Sequence, residues 1–163
     1  MESNPKRKRL RLYGYDYSTY GLYFVTICTS GKQCILGRIH VGADAHIGPQ
    51  IKLTPYGEIV KKHLINIGTL DQFCIMPNHI HMILYLSDDG PMWASAPTKA
   101  QSISQIIRTF KTLCTKEIGH SIFQRSFHDR IIRNEKEYDN ISQYIYNNPA
   151  QWEADQLYQN SPS

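Results

Sequence analysis

Two histidines in the stretch "MPNHIHMILYL" (residues 76–86) and a tyrosine and an asparagine in "QYIYNNP" (residues 143–149) have the types and spacing to do chemistry. Successive strand residues face opposite sides, so His79 and His81 project from one face, where neutral imidazoles can converge on a single cation. The pair alone is also what two half-exposed, hydrogen-bonded imidazoles look like, so a third ligand is needed. On a helix, Tyr144 and Asn148 at i and i+4 stack on the same side. Asn148 precedes Pro149, which biases it away from helical geometry, and its carboxamide oxygen at the helix end can complete a two-histidine site with Tyr144 beside the ion. Tyr146 points to nearly the opposite side. Two neutral nitrogens and an amide oxygen suit a weakly held ion with open positions, whereas a tight zinc site takes three or four His or Cys ligands. A phenol with a pKa of ~10 needs activation before it can act as a nucleophile, and no general base stands out.

These residues need a sheet and a helix to bring them together. "GLYFVTICTS" (21–30) reads as a first strand, with Tyr23, Val25 and Ile27 on one face and Phe24, Thr26 and Cys28 on the other. Residues 37–54 mix short apolar pieces with Gly, Asp and Pro and predict a hairpin excursion, with no chemistry assigned to His40 or His46. A helix capped by Thr54, with Pro55 at its first position, turns Ile59, Leu64 and Ile67 inward and ends at Gly68. "TLDQFCIM" and "HIHMILYL" are strands joined by a tight turn at Pro77 and Asn78. Ile80, Met82, Leu84 and Leu86 form an all-apolar face that must pack under helices, leaving the histidines on the other. Residues 87–101 have loop composition, with Trp93 as an anchor.

A second helix, capped by Ser102, is lined by Ile103, Ile106, Ile107, Phe110, Leu113, Cys114 and Ile118. "SFHDRIIR" is a fourth strand. The last helix has Asn134 as N-cap, an inward stripe of Tyr138, Ile141 and Ile145, and Pro149 as its stop. The tail 151–163 is polar and expected to lack fixed structure, with Trp152 able to dock. The order β-α-β-β-α-β, then α, is that of an α+β, ferredoxin-like split βαβ sandwich: a four-stranded antiparallel sheet, two helices on one face and the tyrosine-bearing helix on the other.

With 163 residues the chain is the size of one domain, here 19–150 after a basic arm of residues 1–18. No apolar run approaches the ~20 residues of a membrane span, and the basic N-terminus lacks the apolar core of a signal peptide, which predicts a cytoplasmic, nucleoid-associated protein without membrane contact. Cys28, Cys34, Cys74 and Cys114 lack C-x-x-C spacing, which argues against a zinc ribbon or a disulfide framework. The net charge is +4, and the positives cluster: Lys6, Arg7, Lys8, Arg9 and Arg11 in the arm, then Arg108, Lys111, Lys116, Arg125, Arg130, Arg133 and Lys136. Clustering of this kind is the footprint of a polyanion, and also of a solvated tail plus a charged helix face. Tyr13, Tyr15 and Tyr17 could stack on unpaired bases or pack on the first strand.

"MPNHIHMIL" resembles the His-hydrophobe-His motif of the HUH endonuclease superfamily, and "QYIYNNPAQW" the tyrosine helix of its single-tyrosine branch. "YDYSTYGLYFVTICT", "FK" at Phe110 and Lys111, and "FHDRIIRNEKEY" resemble the REP-associated tyrosine transposases, relatives of the transposases of the smallest insertion sequences. The resemblance covers roughly residues 6–155. It implies cleavage and rejoining of single-stranded DNA at hairpins through a 5′-phosphotyrosine, with magnesium or manganese as cofactor. Residue by residue, it assigns His79, His81 and Asn148 to the metal and Tyr144 to the nucleophile. Arg108, Lys111, Arg130, Arg133 and the basic arm are then candidates for DNA contacts. The resemblance is compatible with a monomer or a helix-swapped homodimer. Two rival readings are a non-catalytic DNA- or RNA-binding module, which would need no metal, and another metal-dependent hydrolase, in which Phe at position 144 would leave activity.

Overall fold

The computed structural model describes residues 21–40, 49–86, 101–155 and 157–158. The arm residues Lys6, Arg7, Lys8, Arg9 and Arg11, the tyrosines Tyr13, Tyr15 and Tyr17, and His46 and Trp93 lie outside them.

Alternation along β1 (Gly21–Cys28) buries Tyr23, Val25 and Ile27 completely. β2 (Gly37–His40) and β3 (Gln50–Leu53) pair with each other as a separate two-stranded sheet. α1 (Pro55–Leu64) starts where Thr54 Oγ1 accepts the Gly57 N–H and a proline fills the first position, which needs no amide donor. β4 (Leu70–Ile75) and β5 (His79–Leu86) form a hairpin closed by the Met76 N–H donating to the His79 carbonyl. α2 (Ile103–Ile118) opens on a capping box between Ser102 and Gln105 and ends at Gly119, whose φ of 92° is a left-handed conformation that glycine adopts without steric cost. β6 (His128–Ile132) and α3 (Glu135–Asn147, N-capped by Asn134) complete the domain.

The main sheet runs β4-β5-β1-β6 with every neighbouring pair antiparallel. With α1 and α2 on one face this is the ferredoxin-like split βαβ arrangement. Ile80, Met82, Leu84 and Leu86 join Tyr23, Val25 and Ile27 beneath Val60, Leu64, Ile103, Ile107 and Phe110 in the principal core. On the other face a smaller cluster of Ile83, Ile132, Ile141 and Ile145 holds α3 against the sheet, flanked by Phe24, Cys74 and Tyr138. None of the described helices is long and apolar enough to cross a membrane.

Three details differ from the periodicity reading. α1 buries Gly57, Val60 and Leu64 instead of turning Ile59 fully inward, because its first turn lies against the Leu36 carbonyl and only residues three and four apart from Gly57 share that face. Leu113 is 41% exposed, since it lies at the margin of an apolar arc centred on Ile103, Ile107, Phe110 and Cys114. The start of the tail has fixed structure: a 3-10 segment from Asn148 to Ala154 folds back and buries Trp152.

Candidate active site

β5 is a central strand, bonded on one side to β1 and on the other to β4, so the register of its histidines is held from both edges. Cys28 lies opposite His79 and Thr26 opposite His81. Both imidazoles are buried. His79 donates from Nδ1 to Asn78 Oδ1 at 2.8 Å, an acceptor that leaves its Nε2 without a proton. His81 Nδ1 is 2.9 Å from Thr26 Oγ1, a hydroxyl that can donate or accept and so supports either tautomer. The rings are held by Phe24, stacked on His81 with centroids 5.2 Å apart, and by Trp152 at 5.9 Å from His79. The two Nε2 atoms face each other at 3.0 Å.

α3 brings its residues to the same place. Tyr144 Oη is 3.2 Å from His81 Nε2 and donates to Asp155 Oδ2 at 3.2 Å. Asn148, the C-cap of α3, is buried; its Nδ2 donates to Asp155 Oδ2 at 3.1 Å, while its Oδ1 is buried without a hydrogen-bond partner among the described residues. Tyr146 points into solvent at 85% exposure. Periodicity therefore placed Tyr144 and Asn148 on the side that faces the histidines and Tyr146 away from them. Asp155 was missed. Its Oδ2 is 3.9 Å from His79 Nε2, and the ligand atoms of His79, His81 and Asp155 all lie within 4.8 Å of one another. Its sequence gives no periodic signal; the one pointer is Trp152, a large apolar side chain three residues earlier that needs somewhere to be buried.

This donor set fits a divalent ion. The 3.0 Å separation of the Nε2 atoms is close to the edge of an octahedron with bonds of about 2.1 Å. The orphaned Asn148 Oδ1 is an acceptor that lacks a donor, and such groups are costly to bury. The electrostatics of these groups agree. Burial pulls His79 down to about 4 and His81 to about 3, so both are neutral at pH 7. Burial, with the Asp155 carboxylate beside it, pushes the Tyr144 phenol up to about 12. Burial also acts to raise Asp155, but the Leu157 N–H, the Asn148 amide and the two imidazoles outweigh it and hold the carboxyl below its usual range.

Acid should therefore unfold the metal-free protein. As pH falls below about 6.5, an unfolded chain protonates both imidazoles, whereas the folded chain resists until about 4 and about 3. The unfolded state binds more protons throughout this window, so stability declines as pH drops, by an amount on the order of several kcal/mol near pH 4. Asp155, depressed in the fold, loses its contribution in the same direction as it protonates. Denaturant titrations of chelator-treated protein at pH 7 and 4.5 check this. A His81→Gln variant is expected to show a shallower decline, and one as steep as the parent's would assign the loss to other groups.

The described basic residues are dispersed. Arg108 is exposed on α2, which covers the opposite face of the sheet from the histidines. Lys111, on the same helix, turns its ammonium inward to donate to the carbonyls of Gln124 and Ser126 at 2.7 and 3.0 Å, over the Phe127 ring. Its charge is thus committed to the segment between α2 and β6. Lys111→Met is expected to cost about 1–3 kcal/mol in a denaturant titration by stripping those carbonyls of a charged donor, and an unchanged midpoint would contradict that role. Arg130 is on the histidine-bearing face of β6, opposite Phe24, and pairs with Glu137 of α3. Arg133 is exposed, and its backbone N–H donates to the Glu137 carboxylate.

Comparison with known proteins agrees with the geometry. The family "Transposase IS200 like" matches residues 53–148, a span that contains His79, His81, Tyr144 and Asn148 and stops short of Asp155. An uncharacterized protein of Haemophilus influenzae is 35% identical over 174 residues, which covers 93% of each chain. A second H. influenzae protein, named as a REP-associated tyrosine transposase, is 35% identical over 82 residues, 47% of each chain. A solved structure of a REP-associated tyrosine transposase bound to a REP hairpin shares the fold with a TM-score of 0.57 at 21% identity, over 86% of this chain and 73% of that one. A matching span of more than half the chain, which holds the histidine pair and the tyrosine helix, places this protein in the IS200-like transposase family.

Proposed function

We propose that the protein cleaves single-stranded DNA beside a hairpin and rejoins it, with Tyr144 as nucleophile and a magnesium or manganese ion held by His79, His81 and Asn148. The observation that carries this reading is the meeting of Tyr144 Oη with His81 Nε2 at 3.2 Å, where two imidazole nitrogens already converge. A module that only bound nucleic acid would have no use for that convergence.

Tyr144 attacks the scissile phosphorus through its phenolic oxygen; the P–O3′ bond breaks, the departing oxygen takes a proton, and a 5′-phosphotyrosine remains. A free 3′-hydroxyl on another strand reverses the step and regenerates the phenol, which is why a covalent ester suits rejoining better than hydrolysis does. What a bound ion supplies is Lewis-acid polarisation of the phosphate. The protein's part is positional. Thr26 and Asn78 hold the imidazoles, and Phe24 meets Tyr144 edge-on, with ring centroids 6.2 Å apart, which limits where its hydroxyl can go. Arg130, on the histidine-bearing face of β6, and Arg133, just beyond its end, are the candidates for contacts with the DNA backbone, with the residue 6–11 arm as a further contact. Because Tyr144 reaches His81 of its own chain, the arrangement favours a site built within one subunit.

The test incubates the protein with hairpin oligonucleotides carrying single-stranded flanks, plus manganese or magnesium, and seeks DNA on Tyr144 by mass spectrometry. Hairpins of the REP class come first, since a REP hairpin is what the solved relative was bound to. A folded protein that forms no adduct on any of them, yet still binds them with the metal chelated, would sink the reading and leave a binding module.

A further inference from the structure

We propose that Asp155 is a ligand of the same ion, its one anionic ligand, so that ion binding and the seating of the segment from Asn148 to Asp155 are thermodynamically linked. This rests on the reading that His79 and His81 hold a divalent cation. The family match stops at residue 148, so it makes no assignment for Asp155.

The first support is geometric. The carboxylate and the two imidazoles offer ligand atoms within 4.8 Å of one another, and the Asp155 side chain is only 3% exposed. Among the described residues it forms no ion pair with a lysine or arginine. A carboxylate that faces two imidazoles completes a converging donor set of the kind a divalent cation takes.

The second support is how Asp155 is held. Oδ1 accepts the Leu157 N–H at 2.6 Å, which leaves Oδ2 turned to the site. Asn78 Nδ2 donates to the Leu157 carbonyl at 2.7 Å and to the Lys32 carbonyl at 3.2 Å, while Asn78 Oδ1 accepts from His79 Nδ1. One buried amide thus sets both the ring of His79 and the turn that carries the carboxylate. Trp152, buried against His79, anchors the same segment from its other end. The third support is chemical: two imidazoles and a carboxamide bring no charge to a hard divalent ion, which prefers carboxylate oxygen. Asp155 supplies that charge from outside the helix that carries the nucleophile.

The experiment titrates manganese into full-length parent, Asp155→Asn and His81→Ala proteins, following free manganese by electron paramagnetic resonance. Asp155→Asn is expected to weaken binding by about tenfold or more, as loss of a charged ligand does. If Asp155→Asn binds manganese as tightly as the parent while His81→Ala does not, the inference falls and the imidazole site stands. If His81→Ala also binds like the parent, the histidine reading falls with it. Hydrogen exchange on the parent protein gives a readout independent of any variant's folding: manganese should slow exchange at the Trp152 and Leu157 amides, and unchanged rates there would overturn the proposed linkage.

Discussion

Replacing Tyr144 with phenylalanine is expected to abolish the covalent DNA adduct and reduce cleavage by at least about a thousandfold, while leaving the fold and manganese binding intact. The side chain is 39% exposed and its ring makes edge contacts with Phe24 and His81, all of which phenylalanine preserves. What disappears is one oxygen, which touches His81 Nε2 and Asp155 Oδ2. Neither contact is required by the core, so the melting temperature should hardly move. Tyr146→Phe is the matched control, since that ring points into solvent two residues away and should cleave at the parental rate. Adduct on Tyr146, or appreciable cleavage by the Tyr144→Phe protein, would assign the chemistry elsewhere. The second outcome is what a metal-dependent hydrolase would give.

A larger structural effect is expected far from the nucleophile, at Gly57. A Cβ there would fall 2.0 Å from the Leu36 carbonyl oxygen and 3.1 Å from Leu53 Cβ. The carbonyl has little room to retreat, because it accepts the Thr54 N–H at 3.0 Å and the Leu36 N–H donates to the Pro77 carbonyl at 2.9 Å. Gly57→Ala should therefore cost about 3 kcal/mol or more, the upper end of the usual range for overpacking, because the element it meets cannot yield. Pro77 belongs to the turn that precedes Asn78 and His79, so the strain has a direct route into the strand that carries the histidines. A denaturation midpoint equal to the parent's would show that α1 can slide away from Leu36.

The contrast between these two positions shows what a sequence makes legible. Alternation along "HIHMILYL" reported which residues share a face, and the i, i+4 rule did the same for Tyr144 and Asn148, because both follow from backbone geometry alone. Thr54, Ser102 and Asn134 were readable as caps for a similar reason: each serves amides within its own next turn. Asn78 was readable only as a turn residue. Its three side-chain bonds reach His79, Lys32 and Leu157, and the last two are set by how distant parts of the chain pack. Asp155 was hidden because a 3-10 segment has no apolar period, so a buried carboxylate there looks like any solvated acid. Lys111 was ambiguous in the opposite sense, since charge alone cannot tell an ammonium that meets phosphate from one that meets carbonyls of its own chain.

The two faces of the sheet also differ in how firmly they hold what is packed on them. The strand that carries the imidazoles is central and backed by the principal core, whereas the helix that carries the phenol is held by a small cluster of four buried isoleucines. Local opening free energies follow buried apolar contact, so the final helix belongs to a less protected cooperative unit than the strand it meets. The site is thus divided between two parts of unequal protection, the imidazoles on the firmer one and Tyr144, Asn148 and Asp155 on the other, and the second is the one that a modest loss of stability removes first.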